Sequence, residues 1–247
     1  MIQNRKNQNI CVLVEEAKDN IGIAFVMHGS GGYKEQPHIR AMVKTFLENN
    51  YTVISFDTTH AFGKSYGKYE DSTTTNYYED LEDVINWAKQ QKWYKEPFVL
   101  AGHSLGGICI SLYAQKFPNK VKALFPMSTV VSTKLRDLSD EELKNWKEKG
   151  IRQWISRSGK PKKLKWGFME DREKYDVLKE INNLKMPVLL IVGEKDDVTP
   201  PYDQETFYNK LLGKKELHIV KDAPHTFREQ PHLEELKTIL NNWIKEL

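Results

Sequence analysis

The stretch "VLAGHSLGG" (99–107) sets Ser104 between glycines directly after a short apolar run, and two polar stretches follow later: "GEKDDVTP" (193–200) and "KDAPHTF" (221–227). A serine hydroxyl is a weak nucleophile at neutral pH unless a base takes its proton and a carboxylate orients that base. Ser104, His225 and Asp196 supply those three groups, each just beyond an apolar run. Asp197, next in the chain, is a second candidate for the acid. The glycines of "HGSGG" (28–32) let the backbone fold back so that an N–H can face a developing oxyanion, and the candidate donors are the N–H groups of Ser30 and Leu105. Leu105 would stand at the positive end of a helix opening after the serine. The competing phosphate-cradle reading of "HGSGG" lacks a following Lys-Ser or Lys-Thr and the full dinucleotide spacing. Ser104 as an ordinary capping residue in a glycine-rich turn would leave the later motifs to coincidence.

Such groups need a scaffold that brings distant segments together. Apolar runs at 10–14, 21–27, 52–56, 97–101, 121–127, 187–192 and 216–220 read as strands, and between them apolar residues recur on one helical face: Ile39, Met42, Val43 and Phe46, then Leu81, Val84 and Ile85, then Leu233, Leu236, Leu240 and Trp243. Strands apolar on both faces and separated by helices call for a parallel sheet covered on both sides. The expected fold class is α/β, with a mostly parallel central sheet flanked by helices. Polar residues just past strand C-termini then converge, as in open α/β sheets generally. A sharp strand-to-helix turn at Ser104 needs small neighbours two residues away on each side, and Gly102 and Gly106 provide them.

From about 131 to 185 the rhythm breaks, with charged helical patterns over 139–155, a plausible capping box at Ser139 and Glu142, and the basic stretch "SRSGKPKKLKW" (156–166). The expected division is a core of 1–130 and 186–247 with 131–185 inserted as a helical cap. Trp146, Trp154, Trp166 and Phe168 are candidates for lining a pocket above Ser104, or for anchoring the cap. Between Lys144 and Lys165 there are nine Lys or Arg against one acid, Glu148, which reads as a solvated face or as a basic rim favouring carboxylate or phenolate substrates.

Over the whole 247 residues, 37 Lys and Arg against 34 Asp and Glu leave too little charge to call for a nucleic-acid or membrane partner. Cys11 and Cys109 imply no disulfide framework. The absence of a signal-peptide core or an 18-residue apolar span makes a cytoplasmic protein the expectation, and a monomer or homodimer is expected. The histidines show no metal-ligand spacing, so neither metal nor cofactor is expected.

Together "HGSGG", "GHSLGG", "GEKDDVTP" and "APHTF" resemble the α/β-hydrolase superfamily from about residue 10 to the end, outside the insertion, and Ser104, Asp196, His225 follow its chain order. The segment 56–87 is similar to the "FD…GxGxSxGxxE…T" segment of bacterial cinnamoyl and feruloyl esterases and related serine aminopeptidase-like hydrolases, with "THAFG" where "RGHG" is usual. The resemblance implies an α/β-hydrolase fold with catalytic Ser104, Asp196 and His225, oxyanion donors at Ser30 and Leu105, and structural or supporting roles for Asp57, His28 and His103. It implies hydrolysis of small-molecule carboxylic esters. Peptide, amide or thioester cleavage is the alternative, and a binding protein that keeps the scaffold without catalysis a third.

Overall fold

In the computed structural model, which describes residues 1–131, 138–156, 159 and 161–247, the chain opens with two short antiparallel strands, β1 (Ile2–Gln3) and β2 (Asn9–Glu15). Alternation follows: β3 (Gly22–Met27), α1 (Pro37–Glu48), β4 (Tyr51–Asp57), α2 (Thr74–Ala88), β5 (Phe98–His103), α3 (Leu105–Lys116) and β6 (Val121–Met127). Next come α4 (Asp140–Lys149), β7 (Ile151–Ile155), β8 (Pro161–Lys165) and α5 (Gly167–Arg172). The chain returns to the sheet with β9 (Val188–Lys195), α6 (Pro201–Lys210), β10 (Lys215–Pro224) and α7 (Gln230–Ile244).

Eight strands form one sheet in the order β1-β2-β4-β3-β5-β6-β9-β10. From β4 to β10 every neighbouring pair is parallel, and β1 and β2 make the antiparallel edge. Every residue of β3, β4 and β5 is buried, which is why those runs lack polar alternation. On one face α1 and α7 pack Met42, Phe46, Leu240 and Trp243 onto Val26, Val99 and Phe125. On the other, α2 and α3 pack Leu81, Val84, Ile108 and Cys109 onto Phe25, Ile54 and Leu100. Cys109 is a buried free thiol and Cys11 a partly buried one. No helix of the described residues is long and apolar enough to cross a membrane.

The segment expected to be a helical cap departs from that expectation. Its first helix, α4, has the anticipated capping box, the Glu142 N–H donating to Ser139 Oγ at 3.2 Å and the Ser139 N–H to Glu142 Oε2 at 2.8 Å. The helix stops at Gly150, which takes φ of 69°. Residues 151–155, read from sequence as more helix, are β7, paired antiparallel with β8 in a separate two-stranded sheet. Ile151, Trp154 and Ile155 favour extended backbone, and a ribbon this short has no long apolar face to betray it. The Trp146 Nε1–H donates to Leu164 O at 3.0 Å, tying helix to ribbon. Asp171 of α5 fastens the segment to the body, accepting the Thr75 N–H at 2.8 Å and the Thr75 hydroxyl at 2.6 Å. Of the nine basic residues, Arg157 and Lys160 lie outside the described residues.

Candidate active site

Ser104 stands between β5 and α3 with φ of 54° and ψ of −114°, a strained backbone for any residue bearing a Cβ. The turn is tight enough to exclude side chains beside it. A Cβ on Gly102 would lie 2.7 Å from Gly106 O, and one on Gly106 would lie 2.6 Å from His28 O and 2.9 Å from Met27 O. Because these obstacles are backbone, Gly106→Ala is expected to lower stability by about 2–3 kcal/mol in urea unfolding. Gly167→Ala, at a position with nothing within 4 Å of the added carbon, serves as the neutral comparison.

Three strand ends bring the reactive groups together. Asp196 follows β9 and His225 follows β10, whose register shifts between Val220 and Pro224 around Asp222 at φ of 58°. Such a bulge re-aims the chain that follows it. His225 Nε2 lies 3.1 Å from Ser104 Oγ, and His225 Nδ1 lies 2.9 Å from Asp196 Oδ2 and 3.0 Å from Oδ1. The network assigns the Nδ1–H to donate to the carboxylate, leaving Nε2 as acceptor for the serine hydroxyl. Asp196 Oδ1 also accepts the N–H groups of Val198 at 3.0 Å and Thr199 at 2.9 Å. Burial pulls the Asp196 carboxyl upward, but the hydrogen bond and charge of His225 with the Thr199 N–H hold it below the usual carboxylate value. Asp197, the alternative acid, is exposed.

The loop over the serine is fixed by two tyrosines. Ser30 Oγ lies 3.1 Å from Tyr69 Oη, and the Gly31 N–H donates to Tyr77 Oη at 3.0 Å. Gly31 takes φ of 61°, and a Cβ there would meet the Tyr69 ring at 2.9 Å. The N–H groups of Ser30 and Leu105 donate to no partner among the described residues, and both residues line the cavity holding Ser104. Unpaired donors at a helix N-terminus attract negative charge.

The other motif residues hold the scaffold. His28 is fully buried, its Nδ1–H donating to Gly29 O at 2.8 Å and its Nε2 accepting the Thr58 N–H at 3.0 Å. Asp57 accepts Lys34 Nζ at 2.8 Å, the Lys34 N–H at 2.8 Å and the Lys64 N–H at 2.9 Å. The His103 Nε2–H donates to His225 O at 2.9 Å, and burial with the neighbouring His225 pushes this ring down to about 3, so it stays neutral. Sequence reading missed Thr199, whose hydroxyl lies 2.9 Å from Ser128 O, 3.0 Å from Asp196 Oδ2 and 3.2 Å from His225 Nδ1. It also missed Tyr69 and Tyr77, because they meet the 28–32 loop only in the folded chain.

Above Ser104 opens a cavity of about 730 Å³, walled in part by Phe62, Tyr69, Trp146, Trp154 and Phe168. Of the four aromatics singled out in the inserted segment, three line it. Trp166 instead packs edge-on to Trp146 at 5.5 Å.

The sequence profile of the prolyl oligopeptidase family matches residues 37–247. The human mitochondrial palmitoyl-protein thioesterase ABHD10 is 25% identical over 191 residues, covering 75% of this chain and 61% of that protein, so the match spans less than two thirds of the relative's length. Among solved structures, Est1E from Butyrivibrio proteoclasticus with ferulic acid bound superposes with a TM-score of 0.86 at 22% identity, covering 100% of this chain and 98% of that one. The mouse α/β-hydrolase domain-containing protein 10 gives 0.83 at 20% identity, covering 99% and 97%. These likenesses show the α/β-hydrolase fold that the motifs imply.

Proposed function

The chain belongs to the prolyl oligopeptidase family, and we propose that it is a serine hydrolase that cleaves small-molecule carboxylic esters through an acyl-enzyme. The observation carrying the reading is the contact of Ser104 Oγ with His225 Nε2 at 3.1 Å while Asp196 holds the opposite ring nitrogen at 2.9 Å. His225 takes the hydroxyl proton as Ser104 Oγ bonds to the substrate carbonyl carbon. The oxyanion lies toward the N–H groups of Ser30 and Leu105, and Asp196 steadies the imidazolium. Collapse breaks the carbonyl–oxygen bond, and His225 returns the proton to the departing alcohol. Water, deprotonated by the same ring, then attacks the acyl carbon. Release of the acid restores Ser104.

The inserted segment serves as a cap that shapes the acyl or aryl pocket, supported by Trp146, Trp154 and Phe168 in the cavity wall. The ferulic acid in the neighbouring structure and the size of the cavity favour an aryl or medium-length acyl group. Thioester cleavage is the second reading, favoured by the thioesterase name of the human relative. A panel of p-nitrophenyl esters of graded chain length, hydroxycinnamate methyl esters, acyl thioesters and aminoacyl amides, run beside fluorophosphonate labelling, separates these. Turnover of the oxygen esters ahead of thioesters and amides is expected. Labelling with thioesters preferred moves the assignment to thioesterase, and no labelling with no turnover rejects catalysis.

A further inference from the structure

Phe62, Tyr69, Trp146 and Trp154 make the cavity wall largely apolar, yet Arg152, Lys162, Arg172 and Arg228 also face it and no Asp or Glu does among the described residues. Lys162 is the least expected of these. It sits in β8, which pairs with β7 and carries the basic run that reads from sequence as a solvated face or as a basic rim. Its ammonium instead turns inward, 5.2 Å from the centre of the Tyr69 ring and 5.6 Å from that of Phe62. A Cβ on Gly31 would lie 3.1 Å from Lys162 Nζ, so the charge hangs beside the oxyanion loop, one residue from Ser30. No carboxylate pairs with Lys162 among the described residues, although a charge drawn out of water is ordinarily paired, and Arg228 stands exposed on the same cavity.

We propose that Lys162, with Arg228 at the mouth of the same cavity, forms an anion subsite that selects esters carrying a carboxylate away from the scissile bond. The inference rests on the esterase reading and names its substrate class. A cation held only by ring faces could be a mere anchor for the hairpin. Burial, with the charge of Arg228, pushes the Lys162 ammonium down to about 8, and that penalty is what a bound anion relieves. An anchor needs no charge beside the reacting centre, and the hairpin already has one in the ion pair of Lys165 with Asp71 at 2.5 Å. The aromatic wall would hold the carbon chain or ring of such a substrate while the ammonium holds its carboxylate, a division common in small-molecule sites.

The test compares two matched pairs of esters: 4-nitrophenyl hexanoate against the monoadipate, with charge on the acyl side, and phenyl acetate against 3-carboxyphenyl acetate, with charge on the leaving group. The readout is the ratio of kcat/KM, anionic over neutral, in wild type, Lys162→Met, Lys162→Arg and Arg228→Gln. Intrinsic reactivity cancels between variants. In at least one pair the ratio should fall about tenfold in Lys162→Met, less in the more exposed Arg228→Gln, and should be largely kept in Lys162→Arg. The pair that responds tells which side of the scissile bond lies over Gly31. An unchanged ratio in both pairs for Lys162→Met overturns the proposal. Binding of 3-hydroxybenzoate and of phenol, followed by tryptophan fluorescence, tests the subsite apart from turnover. If no ester is hydrolysed but the carboxylate binds at least about tenfold tighter than phenol through Lys162, the esterase reading fails while the subsite stands. Equal binding of the two removes the subsite.

Discussion

Ser104→Ala is expected to leave a folded protein whose kcat/KM falls by about 10⁴ or more, equivalent to about 5.5 kcal/mol of transition-state stabilisation. The substitution removes one oxygen whose hydrogen bond in the site is the 3.1 Å contact with His225 Nε2. Alanine inherits the positive φ that serine already tolerates, so the strain at the elbow is unchanged and the thermal midpoint should stay close to that of wild type. The N–H groups of Ser30 and Leu105 remain, and with them the residual catalysis that an oxyanion site gives water. Steady-state kinetics on the best ester of the panel, with thermal melts on both proteins, is the check. An active Ser104→Ala protein would remove the serine from the chemistry. An unfolded one would mean that the hydroxyl holds the elbow, in which case loss of fluorophosphonate labelling in Ser104→Cys distinguishes the two.

The strength of that expectation comes from features already visible as residue types. Seven apolar runs became β2, β3, β4, β5, β6, β9 and β10, and the clearest of them, β3, β4 and β5, are buried on both faces and carry their signal in every residue. The elbow was legible for a steric reason, since only glycine fits where β5 and α3 meet as closely as Gly102 and Gly106 do. What escaped reading falls into two kinds. The strand β1 has two residues and the ribbon β7 and β8 five each, too short for a period of two to emerge beside a strongly helical neighbour. Thr199, Tyr69, Tyr77 and Lys162 escaped because their roles lie in which way a side chain turns. Lys162 is one of several lysines in a basic run, and nothing in "GKPKKLKW" separates the one over Gly31 from those in water.

The choice between adjacent aspartates yields the second large effect. Asp196→Asn should lower turnover by about 10⁴, whereas Asp197→Asn should change it by less than about tenfold. Asp196 accepts from His225 Nδ1 at 2.9 Å, and an amide there presents either its NH₂ or a single carbonyl oxygen. Oδ1 is already engaged by the N–H groups of Val198 and Thr199, which hold the amide oxygen on their side and turn the NH₂ toward the ring. Nδ1 must then accept, the proton moves to Nε2, and the nitrogen facing Ser104 loses the lone pair that would take its proton. Asp197, one residue on, is exposed, whereas Asp196 is buried against the ring. The pH dependence adds an independent sign. Asp196 in the folded protein lies below the usual carboxylate value, so the stability it contributes is present above the unfolded value and is lost as pH falls through the folded one. Asp196→Asn should therefore flatten part of the acid limb of stability against pH, and Asp197→Asn should leave that part in place. Kinetics at pH 7 with urea midpoints from pH 3 to 7 measure both. A large loss of turnover in Asp197→Asn with little in Asp196→Asn would move the acid to Asp197, and small losses in both would mean that His225 is oriented by a group other than either carboxylate.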